Sequence, residues 1–385
     1  MNAETIAHRP AESLATAVPK VQGRILELDG FRAIAVSMVI LGHMVDGWPL
    51  PNSATAWMPG LARGALSHGW LGVDLFFILS GFLITGILID ERARPRYFVN
   101  FYGRRALRIL PLAVVFITVC YLAYGHPYGR FFLLALLFCA NLRFLFGFPE
   151  PHGPGVLWSL AVEEHFYLMW PIAVRFLKRR AVIVIALAVI LLSPILRAWA
   201  IASGFRADGV VYELSWFRFD GLALGALLAI WVRTRHFTPR NVRIIACVWL
   251  SVVALSSLIA IPYGVFQAKS AAASALRFPQ AQALFTTAMA FALAYQGSAP
   301  VAFLRSGVAQ LVAKLSYCLY LVHLPLGDLY YWILRQLAID DVVTFGARSA
   351  LIIRTAVIVG TSFAVAALSQ RYLEAPFMRL RRKFV

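Results

Sequence analysis

The stretch Gly69-Trp70-Leu71-Gly72-Val73-Asp74-Leu75-Phe76-Phe77-Ile78-Leu79-Ser80-Gly81-Phe82-Leu83-Ile84-Thr85-Gly86-Ile87-Leu88-Ile89-Asp90 carries charge only at Asp74 and at its final residue. About 20 apolar residues are needed to cross the hydrocarbon core of a bilayer as a helix, so this run predicts a transmembrane span. Similar runs recur along the chain. The candidates are 27–48, 69–90, 106–124, 130–147, 156–177, 181–203, 213–232, 243–262, 280–297, 309–335 and 349–372. The composition agrees. The 385 residues are 61% hydrophobic and 14% charged, with a mean hydropathy of +0.74, whereas a soluble domain is about 45–50% apolar and about 25% charged. So little polar surface excludes an ordinary soluble protein. The expected fold class is all-α, a polytopic integral-membrane helical bundle.

The formal charge of +18 is compatible with nucleic acid, but arginine in cytoplasmic loops explains it without such a partner. The basic blocks are Arg92/Arg94/Arg96/Arg104/Arg105/Arg108, Lys178/Arg179/Arg180, Arg233/Arg235/Arg240/Arg243 and Arg379/Arg381/Arg382/Lys383. Placing all four in the cytoplasm requires an even number of crossings between 108 and 178, where three apolar segments lie. Segment 130–147, which carries Asn141 and Arg143 within its run, is the one expected not to span, as a re-entrant or tilted piece buried in protein. Ten crossings of the cell membrane follow, with both termini cytoplasmic. Residues 1–24 lack a short apolar stretch behind a basic start, so no cleavable signal is expected. They form a cytoplasmic extension before a membrane domain at 25–373 and a basic tail at 374–385. Cys120, Cys139, Cys247 and Cys318 lie in apolar stretches without a CxxC pair and read as small core residues. No metal-ligand cluster and no GxSxG elbow is present.

Ionisable residues inside spans are costly and therefore candidates for function. Arg32 and His43 are eleven residues apart, almost three helical turns, which puts them on one stripe about 16 Å apart along the axis. Asp29 and Asp46 flank them. In the second span Asp74 is either a site residue or an interfacial one, and small Ser80 and Gly81 suit close helix packing. Arg105 and Arg108 share a helical face. They serve either as positive-inside charge or as a bidentate clamp for phosphates. The densest set is Trp158-Ser159-Leu160-Ala161-Val162-Glu163-Glu164-His165-Phe166-Tyr167, in which the two carboxylates point about 100° apart and at most one faces a given cleft. Arg218 and Asp220 form a candidate local ion pair. Tyr320 and His323, three residues apart, lie on one face. For these last two sets, packing and chemistry are both open.

Taken in order, these stretches resemble acyltransferase family 3, the integral-membrane sugar O-acyltransferases. The motifs are the Arg32-to-His43 spacing, Phe76-Phe77-Ile78-Leu79-Ser80-Gly81-Phe82, Arg105-Ala106-Leu107-Arg108 before Pro111, Trp158-Ser159-Leu160 with Glu163 and Phe166-Tyr167, and Ser316-Tyr317…Tyr320-Leu321…His323. The resemblance implies a ten-span enzyme that takes an acyl group, usually acetyl, from cytoplasmic acyl-CoA and passes it to a hydroxyl of a glycan, lipid-linked sugar or similar acceptor. It further implies His43 as the catalytic residue, Arg32 as essential beside it, Arg105 and Arg108 as donor-binding, and Glu163 as support for the site. Some members carry a C-terminal extramembrane esterase-like domain. This sequence stops at Val385, so the acceptor hand-off is expected within the membrane domain or on a separate partner.

The residue chemistry suits acyl transfer. Imidazole loses its proton near neutral pH without special tuning. His43 either deprotonates the acceptor hydroxyl or is itself acylated first, and Glu163 is placed to hold its tautomer, as a third group does in triads. A secondary transporter or flippase for a charged or glycan-bearing substrate is the alternative, since buried Arg, Asp and His also suit a substrate path. Such transporters often show matching broken helices in two halves. Here most polar motifs precede residue 171.

Overall fold

In a computed structural model, residues 24–49, 51, 53–205, 209–263 and 270–384 are described; the expected extension 1–24 lies outside them except for Arg24. Among these residues there is no strand, and ten helices reach fourteen residues or more. They are α1 (Leu26–Asp46), α2 (Gly72–Asp90), α3 (Tyr97–Tyr124), α4 (Leu157–Phe176), α5 (Arg179–Ala202), α6 (Phe219–Val232), α7 (Pro239–Ala260), α8 (Ala271–Ala294), α9 (Gly307–Gln336) and α10 (Ala347–Ser369). Seven described helices are long and apolar enough to cross a membrane, and an eighth qualifies if α8 and the turn Ala299–Arg305, bent by 105°, count as one span. Of the remaining two, α4 spans 20 residues but carries Glu163, Glu164 and Arg175, while α6 has only 14. The protein is an all-α polytopic membrane protein.

Each expected crossing corresponds to one of these helices, with three differences of extent, the first being that the segment expected at 280–297 begins at Ala271. Segment 213–232 is broken: short turns at Val210–Glu213 and Ser215–Phe217 precede α6. The third span begins at Tyr97 and not at 106, because Asn100, Arg104 and Arg105 continue the helix beyond its apolar portion. Segment 130–147 forms three short pieces, Gly129–Leu136, Ala140–Leu142 and Arg143–Phe146. The helix stops where Phe138 takes a left-handed φ of 55°, a conformation that costs an aromatic residue energy and ends the helical run.

Close packing in lipid relies on small residues. Gly81 of α2 lies against the backbone of Leu222, and Gly225 of α6 lies against that of Ile78, so any side chain at either glycine collides with the opposite helix. The largest apolar cluster joins residues of α1, α2, α3, α4, α6 and α9. Helix α7 is at the periphery and packs on α8. Its Val248, Trp249, Leu255 and Leu258 are exposed, as expected of a helix solvated by acyl chains. Cys120 and Cys318 are buried, but Cys247 is exposed on α7, so it is not a core residue. α7 is apolar although little of it is buried against the rest of the protein.

Candidate active site

A cavity of about 110 Å³ opens between α1, α2, α3, α4 and α9, with Arg32, Ser80, Arg105, Arg108, Glu163 and Tyr320 among its lining. Helical spacing assembles this wall. Arg105 and Arg108 project from one face of α3, and Glu163 and Tyr167, four apart on α4, meet side by side. Tyr167 donates its hydroxyl to Glu163 Oε2 at 2.7 Å, and Ser80 Oγ donates to Glu163 Oε1 at 2.9 Å. Tyr167 Oη lies 3.1 Å from Ser80 Oγ, which closes a ring of three side chains. Ser80 thus serves the carboxylate, while Gly81 supplies the close helix approach. Glu164 points away, and its Oε1 has no hydrogen-bond partner among the described residues.

The arginines are less well matched. Arg32 Nη1 binds Asp29 Oδ1 at 2.8 Å, and Asp29 also accepts from Arg24 Nε at 2.6 Å. Arg105 lies 4.8 Å above the Tyr167 ring. Among the described residues no carboxylate lies within ion-pair distance of Arg105 or Arg108. Guanidinium groups so placed attract an anion of complementary, bidentate geometry.

His43 lies outside this cavity's lining. Its Nδ1 is 3.0 Å from Nε2 of His323, and His323 Nδ1 is 2.8 Å from the carbonyl of Tyr320 and 3.2 Å from that of Leu319. Carbonyl oxygens only accept, so His323 carries its proton on Nδ1. A neutral His323 then accepts at Nε2 from His43 Nδ1–H, which leaves the Nε2 lone pair as the basic position of His43. The expectation that Glu163 holds this imidazole is therefore corrected. Glu163 is committed to Ser80 and Tyr167, and the side chain that contacts the His43 ring is His323, brought in by α9. The cavity and the histidine pair meet through Tyr320, which lines the cavity and binds Ser159 Oγ at 2.6 Å. Arg354, fully buried on α10, donates to the Met44 carbonyl next to His43 and to Tyr331 Oη at 2.6 Å. A cation there suits the last carbonyls of α1.

Beyond the histidines, Asp328 accepts from Tyr124 at 2.5 Å, His152 Nδ1 at 2.7 Å, the Gly153 amide at 2.9 Å and Trp48 Nε1 at 3.3 Å. The Asp328 carboxylate raises the pKa of His152 above the ordinary histidine value. A wider cavity of about 890 Å³ borders this cluster, flanked by Tyr331 and Trp332.

Three residues grouped with the site form a separate core. Asp74 is fully buried, not interfacial, and pairs with Arg218 Nη2 at 2.9 Å. Asp220 pairs with Arg197 Nη1 at 2.7 Å, so the expected Arg218–Asp220 pair does not form. Residues two apart on a helical turn point in different directions. Gln282 Nε2 bridges both carboxylates, at 2.9 Å from Asp74 and 3.1 Å from Asp220. Trp158 stacks against Tyr212 with ring centroids 4.9 Å apart and lies 5.8 Å from the Arg218 guanidinium; it packs this ion pair and does not line the cavity.

Sequence reasoning missed Arg197, Gln282, Asp328, Arg354 and His152. The first four are polar side chains within apolar helices, and that anomaly was a usable signal. His152 sits in a loop and had none. Among the described residues no three His, Cys, Asp or Glu side chains cluster as metal ligands do.

No solved structure matches the chain. Among curated proteins, the peptidoglycan O-acetyltransferase OatA of Listeria monocytogenes is 31% identical over 227 residues, 53% of this chain and 33% of that protein. The putative peptidoglycan O-acetyltransferase YrhL of Bacillus subtilis is 31% identical over 234 residues, 55% and 34% respectively. The O-acetyltransferase OatA of Staphylococcus aureus is 33% identical over 173 residues, 40% and 25% respectively. The aligned region thus spans about a third of the length of the first two relatives and a quarter of the third. The acyltransferase-domain family model matches residues 25–370, nearly the whole described chain, and the protein belongs to that family.

Proposed function

We propose that the chain transfers an acyl group, acetyl in the first instance, from acyl-CoA to a hydroxyl of a glycan or lipid-linked sugar. His43 Nε2 removes the proton of the acceptor hydroxyl as its oxygen attacks the thioester carbonyl. The C–O bond forms, the C–S bond breaks, and the imidazolium returns the proton to the departing sulfur. In the variant route the imidazole attacks first and an acyl-histidine hands the group on. His323 is a positioning residue that fixes the tautomer. Arg105, Arg108 and Arg32, which line one cavity, face the donor's phosphates, and the Ser80–Glu163–Tyr167 ring keeps the wall in shape.

The observation that carries this reading is the His43–His323 contact at 3.0 Å, joined through Tyr320 to a cavity with three arginines. A half-buried base beside an anion-seeking pocket suits a phosphorylated acyl donor. The relatives, named as O-acetyltransferases and two of them for peptidoglycan, support a glycan acceptor. The arginine blocks support a topology with the termini and the donor mouth in the cytoplasm. The test is to supply membranes containing the chain with labelled acetyl-CoA and a muramic-acid glycan. Label recovered in base-labile esters on the glycan is expected; its absence at saturating donor contradicts the assignment.

A further inference from the structure

A smaller chamber of about 70 Å³ adjoins the first and shares Arg32, Arg105 and Arg108 with it. Two more arginines complete its wall, Arg104 of α3 and Arg381 of the C-terminal segment, and no carboxylate lines it. Five guanidinium groups around so small a space repel one another unless an anion lies among them, and the cost is greater where water is scarce. Two of the five are matched: Arg104 pairs with Glu91 and donates to the Phe384 carbonyl at 2.8 Å, and Arg32 pairs with Asp29 at 2.8 Å. Among the described residues Arg381 has no carboxylate within ion-pair distance.

The segment that brings Arg381 here is tied down at two points. Five residues of π-helix, Gln370–Glu374, join α10 to a short helix, Ala375–Leu380; π-helical turns within a helix often mark functional sites. Beyond it the Phe384 ring packs directly on Gly103 of α3, where even a methyl group collides with it. The Arg104 bond to the Phe384 carbonyl fixes the same turn. A basic tail that only oriented the protein needs no such seat.

We propose that the C-terminal turn Arg381–Phe384 is part of the donor site, and that Arg381, with Arg104 and the shared arginines, binds the nucleotide phosphates of the donor. The ligand class is an adenosine phosphate bearing several phosphoryl groups, of which a coenzyme-A thioester is the acylated form. The two chambers divide the donor: the arginine chamber holds its polyanionic end, and the larger cavity receives the arm carrying the thioester.

This inference rests on acyl-CoA being the donor, and a binding measurement separates the two claims. Adenosine 3′,5′-bisphosphate is titrated into the purified full-length protein and into Arg381→Ala, with no turnover required. Wild type is expected to bind it and the variant to bind about tenfold more weakly, as loss of one charge-assisted phosphate contact implies. Arg381→Lys, which keeps the charge, should recover part of the loss, and it stands in if the alanine variant fails to fold. In turnover, the preference for acetyl-CoA over S-acetylpantetheine, which lacks the nucleotide phosphates, should fall about tenfold in Arg381→Ala. Damage to packing alone affects both donors alike and leaves the preference unchanged. No bisphosphate binding by wild type, equal binding by both proteins, or an unchanged preference overturns the inference. Bisphosphate binding without acetyl transfer from acetyl-CoA retains it and overturns the activity instead.

Discussion

Arg218 has none of its surface exposed, yet its guanidinium is surrounded by rings, 4.2 Å from the Phe278 centroid and 5.0 Å from that of Tyr212. Its only carboxylate partner among the described residues is Asp74, and its Nε and Nη1 have no hydrogen-bond partner there. Removing one member of a buried pair leaves the other charge uncompensated, which costs about 3–5 kcal/mol. Arg218→Met should therefore lower the melting temperature of the detergent-solubilised protein sharply, and adding Asp74→Leu should restore much of it. Equal stability of the single variant and wild type contradicts a paired, buried Asp74. At this scale the sequence was informative about which residues are unusual and poor at saying what they touch. Arg32, His43, Arg105, Glu163 and His323 were all conspicuous as polar groups in apolar helices. The partner of His43 was not legible, because 280 residues separate it from His323 and helical periodicity relates only residues on the same helix. The same limit explains why Arg218 and Asp220, neighbours in sequence, have separate partners in space.

At the scale of elements, helices α2 and α6 cross backbone to backbone at Gly81 and Gly225. The site depends on this crossing, because α2 carries Ser80 beside Gly81. Gly225→Leu forces a side chain into the backbone of Ile78, and overpacking of this kind costs about 1–3 kcal/mol or more. The expected result is a lower melting temperature and weakened activity. Gly64→Ala, at a position with nothing within 4 Å of the added methyl, should change neither. A Gly225→Leu variant as stable as wild type contradicts the close crossing. Runs of apolar residues located every long helix, since crossing a bilayer demands both length and hydropathy. They did not reveal where the backbone departs from a helix within such runs. Nothing in hydropathy marks the left-handed Phe138 or the turns before Phe219.

For the whole molecule, two uses are proposed for the +18 charge: orienting the bundle and holding the donor's phosphates. Orientation is open to direct test. A reporter fused after Lys178 should read as cytoplasmic if α3 and α4 both cross, as expected with the segment 130–147 in three short pieces. A reporter signal from outside contradicts that topology and, with it, donor entry from the side of the arginines. In the proposed reaction, acyl transfer passes through the Nε2 of His43, held in one tautomer by His323. The most direct measurement is the rate of labelled acetyl transfer to glycan by folded, membrane-inserted wild type, His43→Ala and His323→Ala, each followed across pH. Without His43, no ester formation above background is expected. Without His323, the expected result is a lower kcat with a displaced pH profile and an unchanged KM for the donor. Ester formation by His43→Ala at the wild-type rate contradicts the proposed reaction.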